Sequence, residues 1–525
     1  MPAFLTLDSV SAATADGTIL FSDLSLSLGR EVVGLVGRNG SGKSTLLSIL
    51  MGESPPHGGH VLRAGRVAML RQVMAERGTI ADALGVSEAL ACLRRLEEGQ
   101  GSAEDAAQAD WELETRLAGA LARTGLADLP PDRPASALSG GERMRLGLAK
   151  MLIGAPDVLL MDEPTNNLDA GGRAAIRELL AGWKGGAIVA SHDRELLEGV
   201  DRIVQLSPVG CAVFGGGWSA FEVARDALRE QAQGELDRAG QEARRTSQAT
   251  QQQAERQARR DKGGRAKKAK GDEPRILMGL RKGKAEQTAA RQRHQGVRAV
   301  EEAGERLAEA RRQVEIVTPL HVDLPPSGLA TGRSVLRVDA VTCERGGRRL
   351  FGPLSFTLTG PERLVLSGPN GSGKTSLLRI LTGGEEPSSG KVWRAEGAIA
   401  MLDQHVALLD PTLDLVAAMQ ARYPGMAAGD AHQRLARFAF RNRDALRSVA
   451  TLSGGEQLRA GLALVTGGPV PPQLLILDEP TNHLDMEAVA LLEQALRGWD
   501  GALMIVSHDR RFLDAVGYDR EIILP

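Results

Sequence analysis

Two short stretches put a lysine behind a run of glycines: "GRNGSGKST" at 37–45 and "GPNGSGKTS" at 368–376. Glycine, four residues, glycine, lysine, then serine or threonine is the spacing of a phosphate-binding loop. Glycines let backbone N–H groups close around an anion, and the helix that follows points its positive end at the same place. The binding set is Gly37, Asn39, Gly40, Gly42, Lys43, Ser44 and Thr45 in the first loop. In the second it is Gly368, Asn370, Gly371, Gly373, Lys374, Thr375 and Ser376. Lys43 and Lys374 suit the β- and γ-phosphates of a nucleotide, and Ser44 and Thr375 suit Mg2+. Two apolar runs further on, "DVLLMDE" and "LLILDE", end in the acid pairs Asp162-Glu163 and Asp478-Glu479. The first acid of each pair suits Mg2+ through water. The second suits a general base that polarises an attacking water.

Adjacent side chains on a strand face opposite ways, so two acids with two tasks need a strand end. The elements around them repeat. "VAMLRQ" at 67–72 returns as "IAMLDQ" at 399–404, "LSGGER" at 138–143 as "LSGGEQ" at 452–457, and "VASHDR" at 189–194 as "IVSHDR" at 505–510. With the loops and the acid pairs, five blocks recur in one order, which means two copies of one domain. Short apolar runs such as "EVVGLVG" and "RLVLSG" alternate with helical patterns, which predicts α/β domains with parallel sheets. The expected domains are 1–221 and 319–525, joined by a mainly helical segment at 222–318.

The joining segment has its own character. Residues 222–315 hold 23 Lys/Arg against 16 Asp/Glu, a net +7 in a chain of net −2, and no Phe, Tyr or Trp. Thin heptad-like seams run through Leu228, Ala232, Leu236, Ala239 and Ala243 and through Val300, Ala303, Leu307, Ala310 and Val314. They predict an antiparallel helical hairpin, with its tip where Gly263, Gly264, Gly271 and Pro274 interrupt the pattern. The basic residues at 254–293 suit phosphate contacts, and the lack of aromatics argues against stacking on single-stranded bases. The expected RNA contacts are Lys267, Lys268, Lys270, Arg275, Arg281, Lys282 and Lys284, beside the apolar Ile276, Leu277, Met278 and Leu280.

"LSGGE" lies in each half between the glycine loop and the acid pair, and in that order the motifs resemble ATP-binding cassette (ABC) ATPases. The resemblance implies two cassettes packed head to tail, each ATP held by the loop of one and the signature of the other. One site would join Lys43 to Ser453, Gly454 and Gly455, and the other Lys374 to Ser139, Gly140 and Gly141. It implies that Gln72 and Gln404 lie near Mg2+ and the lytic water, that His192 and His508 contact the γ-phosphate, and that Asp169 and Asp485 cross the interface. Both sites keep every one of these residues, so two hydrolysis-competent sites are expected. The positions where cassettes stack an aromatic on adenine fall in "TADGTILF" and "ERGGRRLF", with none in the expected place. Arg345 offers a guanidinium plane in the second half only.

"DEPTNNLD" and "DEPTNHLD" in tandem, with a charged linker between, resemble the ABC-F family. That implies an ATP- and Mg2+-dependent ATPase of the cytoplasm that binds the ribosomal E site as a monomer. Its linker would contact 23S rRNA, the P-site tRNA and the peptidyl-transferase centre, in stall relief, translation regulation or antibiotic resistance. "GDEPRILMGLRKGKAEQT" at 271–288 resembles the interdomain linkers of that family. The spacing from Gln72 to the first signature exceeds that from Gln404 to the second by 18 positions. Residues 97–114 are expected to hold the excess as a loop or short hairpin, a reduced arm. No C-terminal coiled coil is expected after the second switch region.

The ATPase component of a transporter and a DNA-acting ATPase are rival readings. No apolar run of 18 residues exists, so neither a membrane span nor a membrane partner is expected. No secretory signal is visible at the N-terminus. Cys92, Cys211 and Cys343 have no metal-ligand spacing and suit buried reduced thiols.

Overall fold

Strands covered on both faces read as continuous apolar runs, and the runs before the glycine loops behave so. In the computed structural model, Val32–Gly37 and Arg363–Ser367 are central strands of two parallel sheets. The structure describes residues 3–14, 16–70, 78–138, 140–166, 168–207, 210–268, 294–311, 322–404, 406–482 and 484–525. The chain divides into two compact units, Met1–Ser219 with Pro319–Pro525, and Ala220–Thr318.

The first unit holds both copies of the repeat. In the first copy the sheet order is Val67–Leu70, Val158–Asp162, Gly186–Ala190, Val32–Gly37, Arg202–Ser207 and Gly210–Gly215. All pairings are parallel except the last. The second copy repeats the order as Ile399–Leu402, Leu474–Asp478, Ala502–Val506, Arg363–Ser367 and Arg520–Ile523, all parallel. Each copy adds a three-stranded antiparallel sheet, built on Leu5–Ala13 and Ser334–Arg345. Val158, Leu159, Leu160 and Met161 are all fully buried, which stabilises by roughly 2 kcal/mol per side chain. Cys343 is buried and Cys92 and Cys211 are half-buried. Among the described residues no helix is long and apolar enough to cross a membrane.

This strand order brings three chain segments to one edge. The glycine loop, the acid pair and the segment after Gly186–Ala190 all leave the carboxyl ends of adjacent strands, where ligands bind in open α/β sheets. Residues 97–114, expected as a loop or short hairpin, are partly helical. Ala103–Gln108 is a helix, started by a reciprocal capping box between Ser102 and Asp105.

In the second unit, the helix Trp218–Lys268 is 51 residues long, about 76 Å at 1.5 Å per residue. It continues through Gly263 and Gly264, so the tip does not lie there. Each glycine costs a helix about 1 kcal/mol relative to alanine, which good helix formers on either side can offset. Gly271, Pro274 and the apolar cluster at 276–280 lie outside the described residues. Residues 294–311 form the return helix. Glu242 pairs with Arg306 at 2.8 Å, Gly240 lies against Leu307, and Gly296 against Thr250. The paired numbers run in opposite directions, so the hairpin is antiparallel. Its seam is Ala232, Leu236, Ala239, Ala243, Thr246 and Thr250 facing Ala303, Leu307 and Ala310, all buried or half-buried. Leu228, expected in the seam, is 53% exposed, and Val300 is exposed too. Val314 lies outside the described residues.

Candidate active sites

Gly42 and Gly373 start the two loop helices, Lys43–Met51 and Lys374–Thr382, in the left-handed region at φ 93° and 92°. A side chain there would be strained and would meet Phe21 or Phe351 at 3.0 or 2.8 Å. The antiparallel sheet thus packs on the loop through these phenylalanines. Lys43 is buried, and its ammonium donates to the Gly37 carbonyl at 2.8 Å. Lys374 repeats this with Gly368 at 2.6 Å and Pro369 at 3.1 Å. Ser44, Thr45, Thr375 and Ser376 lie in the first turns of these helices, and Asn39, Gly40, Asn370 and Gly371 in the loops.

The strands Val158–Asp162 and Leu474–Asp478 end on the first acid of each pair. Glu163 and Glu479 then take φ 45° and 47°, uncommon for residues with a side chain. Each donates its backbone N–H across to the neighbouring strand, to Ala190 or Val506, at 2.8 Å. The reversal turns the second carboxyl toward the switch histidine rather than to the opposite face of the sheet. No motif spacing signals it. Thr375 Oγ1 lies 3.4 Å from Asp478 Oδ2, so two hard oxygen donors stand side by side. Gln404 follows the strand Ile399–Leu402, at the same edge.

Burial pushes the Glu163 carboxyl up to about 7, with the Lys43 ammonium pulling the other way. It pushes Glu479 up to about 7 as well, opposed first by Arg173 and then by Lys374. Burial beside Lys43 drives His192 down to about 3, and burial beside Lys374 drives His508 down to about 4. Both histidines are therefore neutral, and their approaches to Glu163 at 3.3 Å and Glu479 at 3.4 Å are not ion pairs. His192 Nε2 lies 3.0 Å from the Lys43 ammonium. Several buried polar atoms at the two sites have no partner among the described residues: Ser41 Oγ, Ser372 Oγ, Glu163 Oε1, both Glu479 carboxylate oxygens, His192 Nδ1 and His508 Nε2. Such orphans are costly in a folded protein and mark where a polar ligand fits.

Each site draws on both halves. Asp169 caps the helix Ala170–Ala181 with one carboxylate oxygen and with the other accepts from the Asn370 N–H of the opposite loop at 3.1 Å. Asp485 does the same for the helix Met486–Arg497 and the Asn39 N–H at 3.3 Å. The signature Ser453 caps the helix Gly454–Thr466 in a reciprocal box with Glu456, which starts the helix at Gly454 and Gly455. The matching helix Gly140–Ile153 begins at Gly140 and Gly141. Gln72 and Ser139 lie outside the described residues. Arg345, the expected adenine platform, is held by the Glu385 carboxylate at 3.2 Å.

The family described as ABC transporter matches residues 21–166 and 351–482. The chain is 32% identical over 533 residues to the tylosin resistance ATP-binding protein TlrC of Streptomyces fradiae, covering 94% of this chain and 93% of that one. It is 31% identical over 548 residues to the energy-dependent translational throttle protein EttA of Mycobacterium tuberculosis, covering 97% and 89%. An archaeal ribosome recycling factor, solved with a ribosomal stalk protein, shares the fold at TM-score 0.57 and 20% identity, over 98% of this chain and 87% of that one. Two matched cassette regions and full-length relatives at this identity place the chain in the ABC-F family of tandem ATP-hydrolysing cassette proteins.

Proposed function

We propose that this ATPase closes its two cassettes around two ATP molecules and, in that state, occupies the ribosomal E site. There its basic hairpin acts on the P-site tRNA and the peptidyl-transferase centre. The observation that carries the ATP sandwich is the reciprocal pair of contacts from Asp169 to the Asn370 loop and from Asp485 to the Asn39 loop. The glycine loops with Lys43 and Lys374 hold the triphosphates. Ser453, Gly454 and Gly455 close one site, and Ser139, Gly140 and Gly141 the other. Ser44 with Asp162, and Thr375 with Asp478, would hold Mg2+, with Gln72 and Gln404 nearby. Bound there, the ion neutralises charge on the phosphate oxygens. Glu163 and Glu479 orient the attacking water and take its proton as its oxygen bonds the γ-phosphorus, while the bond from that phosphorus to the β–γ bridging oxygen breaks and ADP leaves. Neutral His192 and His508 hold the γ-phosphate.

The ribosome enters through the relatives, one named for translational throttling and one for tylosin resistance. The charge of 254–293, 14 Lys/Arg against 5 Asp/Glu, supports an RNA phosphate target read by shape and salt-sensitive contact. Such a protein works in the cytoplasm, as a monomer, with 23S rRNA and tRNA as partners.

Co-sedimentation tests this. Glu163→Gln with Glu479→Gln removes both bases and should freeze the closed state, so the protein pellets with 70S ribosomes in ATP and not in ADP. A double variant that stays in the supernatant with ATP sinks the ribosome reading. Adding Lys282→Glu with Lys284→Glu should shift retention to lower salt; an unchanged salt profile would remove those lysines from the interface.

A further inference from the structure

The chain on either side of His192 is held by hydrogen bonds and charge. The Asp193 N–H donates to Ser191 Oγ at 3.1 Å, across the histidine between them. Asp193 Oδ1 accepts the N–H groups of Glu195 and Leu196 at 3.0 and 3.1 Å and starts the helix Arg194–Glu198. Its other oxygen, Oδ2, accepts from Arg173 Nη1 at 3.1 Å. The side chains of this pair are 11% and 6% exposed, so little water competes for either charge. Arg173 Nε also donates to the Leu168 carbonyl at 3.3 Å. The guanidinium thus joins the turn before Asp169 to the residue after the switch histidine. One turn further along the helix Ala170–Ala181, Arg177 pairs with Glu195 at 2.8 Å. Residues four apart share a helix face, so two arginines of one helix grip two acids of the switch segment.

The second cassette has the acid without these arginines. Asp509 follows His508, its N–H donates to Ser507 Oγ at 3.1 Å, and its carboxylate caps the helix Arg510–Val516 through the Phe512 N–H. In "LDAGGRAAIRE" and "LDMEAVALLEQ" the residues matching Arg173 and Arg177 are Val489 and Glu493. Val489 is buried and has nothing to donate, and Glu493 pairs with Arg194 of the first cassette. The two switch segments share a motif and a cap and differ in what stands behind the acid. A histidine that holds the γ-phosphate helps most where its place is set before the reaction starts. The His192 N–H also donates to Glu163 Oε2 at 3.3 Å, so the placing of this segment reaches the base as well.

We propose that Arg173 is a positioning residue of the first ATP site: through Asp193 it fixes the segment that presents the His192 ring to the γ-phosphate and the His192 N–H to Glu163. The second site has Val489 in its place. This rests on the reading of both as hydrolytic sites. Single-turnover cleavage of ATP separates them: Glu479→Gln leaves cleavage to the first site, and Glu163→Gln leaves it to the second.

In the Glu479→Gln background, Arg173→Gln and Asp193→Asn are each expected to slow cleavage about tenfold, with the half-saturating ATP concentration within about twofold. Asparagine keeps the oxygen that caps the helix and loses the charge that Arg173 holds. Both substitutions remove one contact, so together they should slow cleavage by no more than about threefold beyond either alone. Arg173→Gln strands a buried carboxylate and should lower the melting temperature; adding Asp193→Asn should restore part of it while cleavage stays slow. In the Glu163→Gln background, Asp509→Asn, the matching change at the second site, should alter cleavage by less than about threefold. No loss at the first site, losses that multiply, cleavage that recovers together with the melting temperature, or an equal loss from Asp509→Asn would overturn the proposal. If Arg173→Gln fails to fold, seen as lost ATP binding, Asp193→Asn against Asp509→Asn decides: a slower first site beside an unchanged second supports it, and equal effects overturn it. Cleavage that persists in the Glu163→Gln, Glu479→Gln protein would instead overturn the reading of the two glutamates as bases, and the proposal with it.

Discussion

Glu163 and Glu479 are carboxyls that the fold prefers protonated. Burial moves both from an ordinary 4.5 to about 7. A group whose folded pKa is raised contributes stability that is full below its unfolded pKa and lost as pH rises through the folded one. Here the loss runs from about pH 4.5 to above pH 7 and reaches about 3 kcal/mol per site. His192 and His508 act in the opposite sense. Depressed to about 3 and about 4, they remove stability as pH falls below their ordinary 6.5. The two effects oppose each other in mildly acid solution and separate above neutrality. Glu163→Gln and Glu479→Gln are therefore expected to raise the melting temperature of the nucleotide-free protein by a few degrees at pH 8.5. At pH 4.5 they should leave it unchanged. Scanning calorimetry at both values checks this, and equal melting at pH 8.5 would mean the carboxylates ionise in place without penalty. The place of these glutamates, second in a pair of acids at a strand end, was legible in the sequence. Their left-handed backbone was not, because it is imposed by the hydrogen bonds to Ala190 and Val506 on a strand distant in sequence.

The helical hairpin shows what periodicity can and cannot decide. A seam of alanine, glycine and threonine with few larger residues brings two backbones close but buries little apolar area, so its stability rests on a few positions. Ala303, 4% exposed, is the most buried of the return helix. Ala303→Asp puts a charge with no partner into that seam, at a cost of roughly 3 kcal/mol. Amide exchange across 232–250 and 296–310 should accelerate by more than about tenfold, with ribosome-free ATPase unchanged within about twofold. Protection that survives the substitution would show that the helices are held by something other than this seam. The spacing of three and four identified Ala232, Leu236, Ala239, Ala243 and Ala303. It overextended to Leu228, which is exposed, and passed over Thr246 and Thr250, whose hydroxyls mask their role. Thr250 turns its hydroxyl back to the Thr246 carbonyl at 2.9 Å, and so can sit in an apolar seam. Gly263 and Gly264 read as breakers because local propensity was weighed alone.

Across the cassette unit, sequence symmetry and charge symmetry part. Arg38 pairs with Glu487 at 3.0 Å, and Arg194 with Glu493 at 2.8 Å with both side chains only 13% exposed. Both pairs run from the first cassette's loop or switch segment to the helix behind Asp485, and so flank the first site. The matching residues around the second site are Pro369 with Gly171 and Arg510 with Arg177, which have no opposite charges to join. Arg510 instead pairs with Glu521, and Arg177 with Glu195, inside their own cassettes. Arg511 and Glu198 also join the two cassettes at 2.8 Å, but the pairs flanking the first site have no counterpart at the second, where Asp169 makes the contact to the opposite loop, which predicts that the two halves part unequally. Glu493 is raised by burial and held down chiefly by Arg194, so removing the arginine strands a buried carboxylate, at a cost of about 2 kcal/mol. In the Glu163→Gln, Glu479→Gln protein, Arg194→Ala should therefore speed release of a fluorescent ATP analogue about tenfold. Arg510→Ala, its counterpart on the half-exposed pair with Glu521, should change it by less than about twofold. Adding Glu493→Gln should restore part of the lifetime, because the stranded charge is gone. Equal effects of the two arginine substitutions would show that the charge asymmetry does not govern how the sandwich opens.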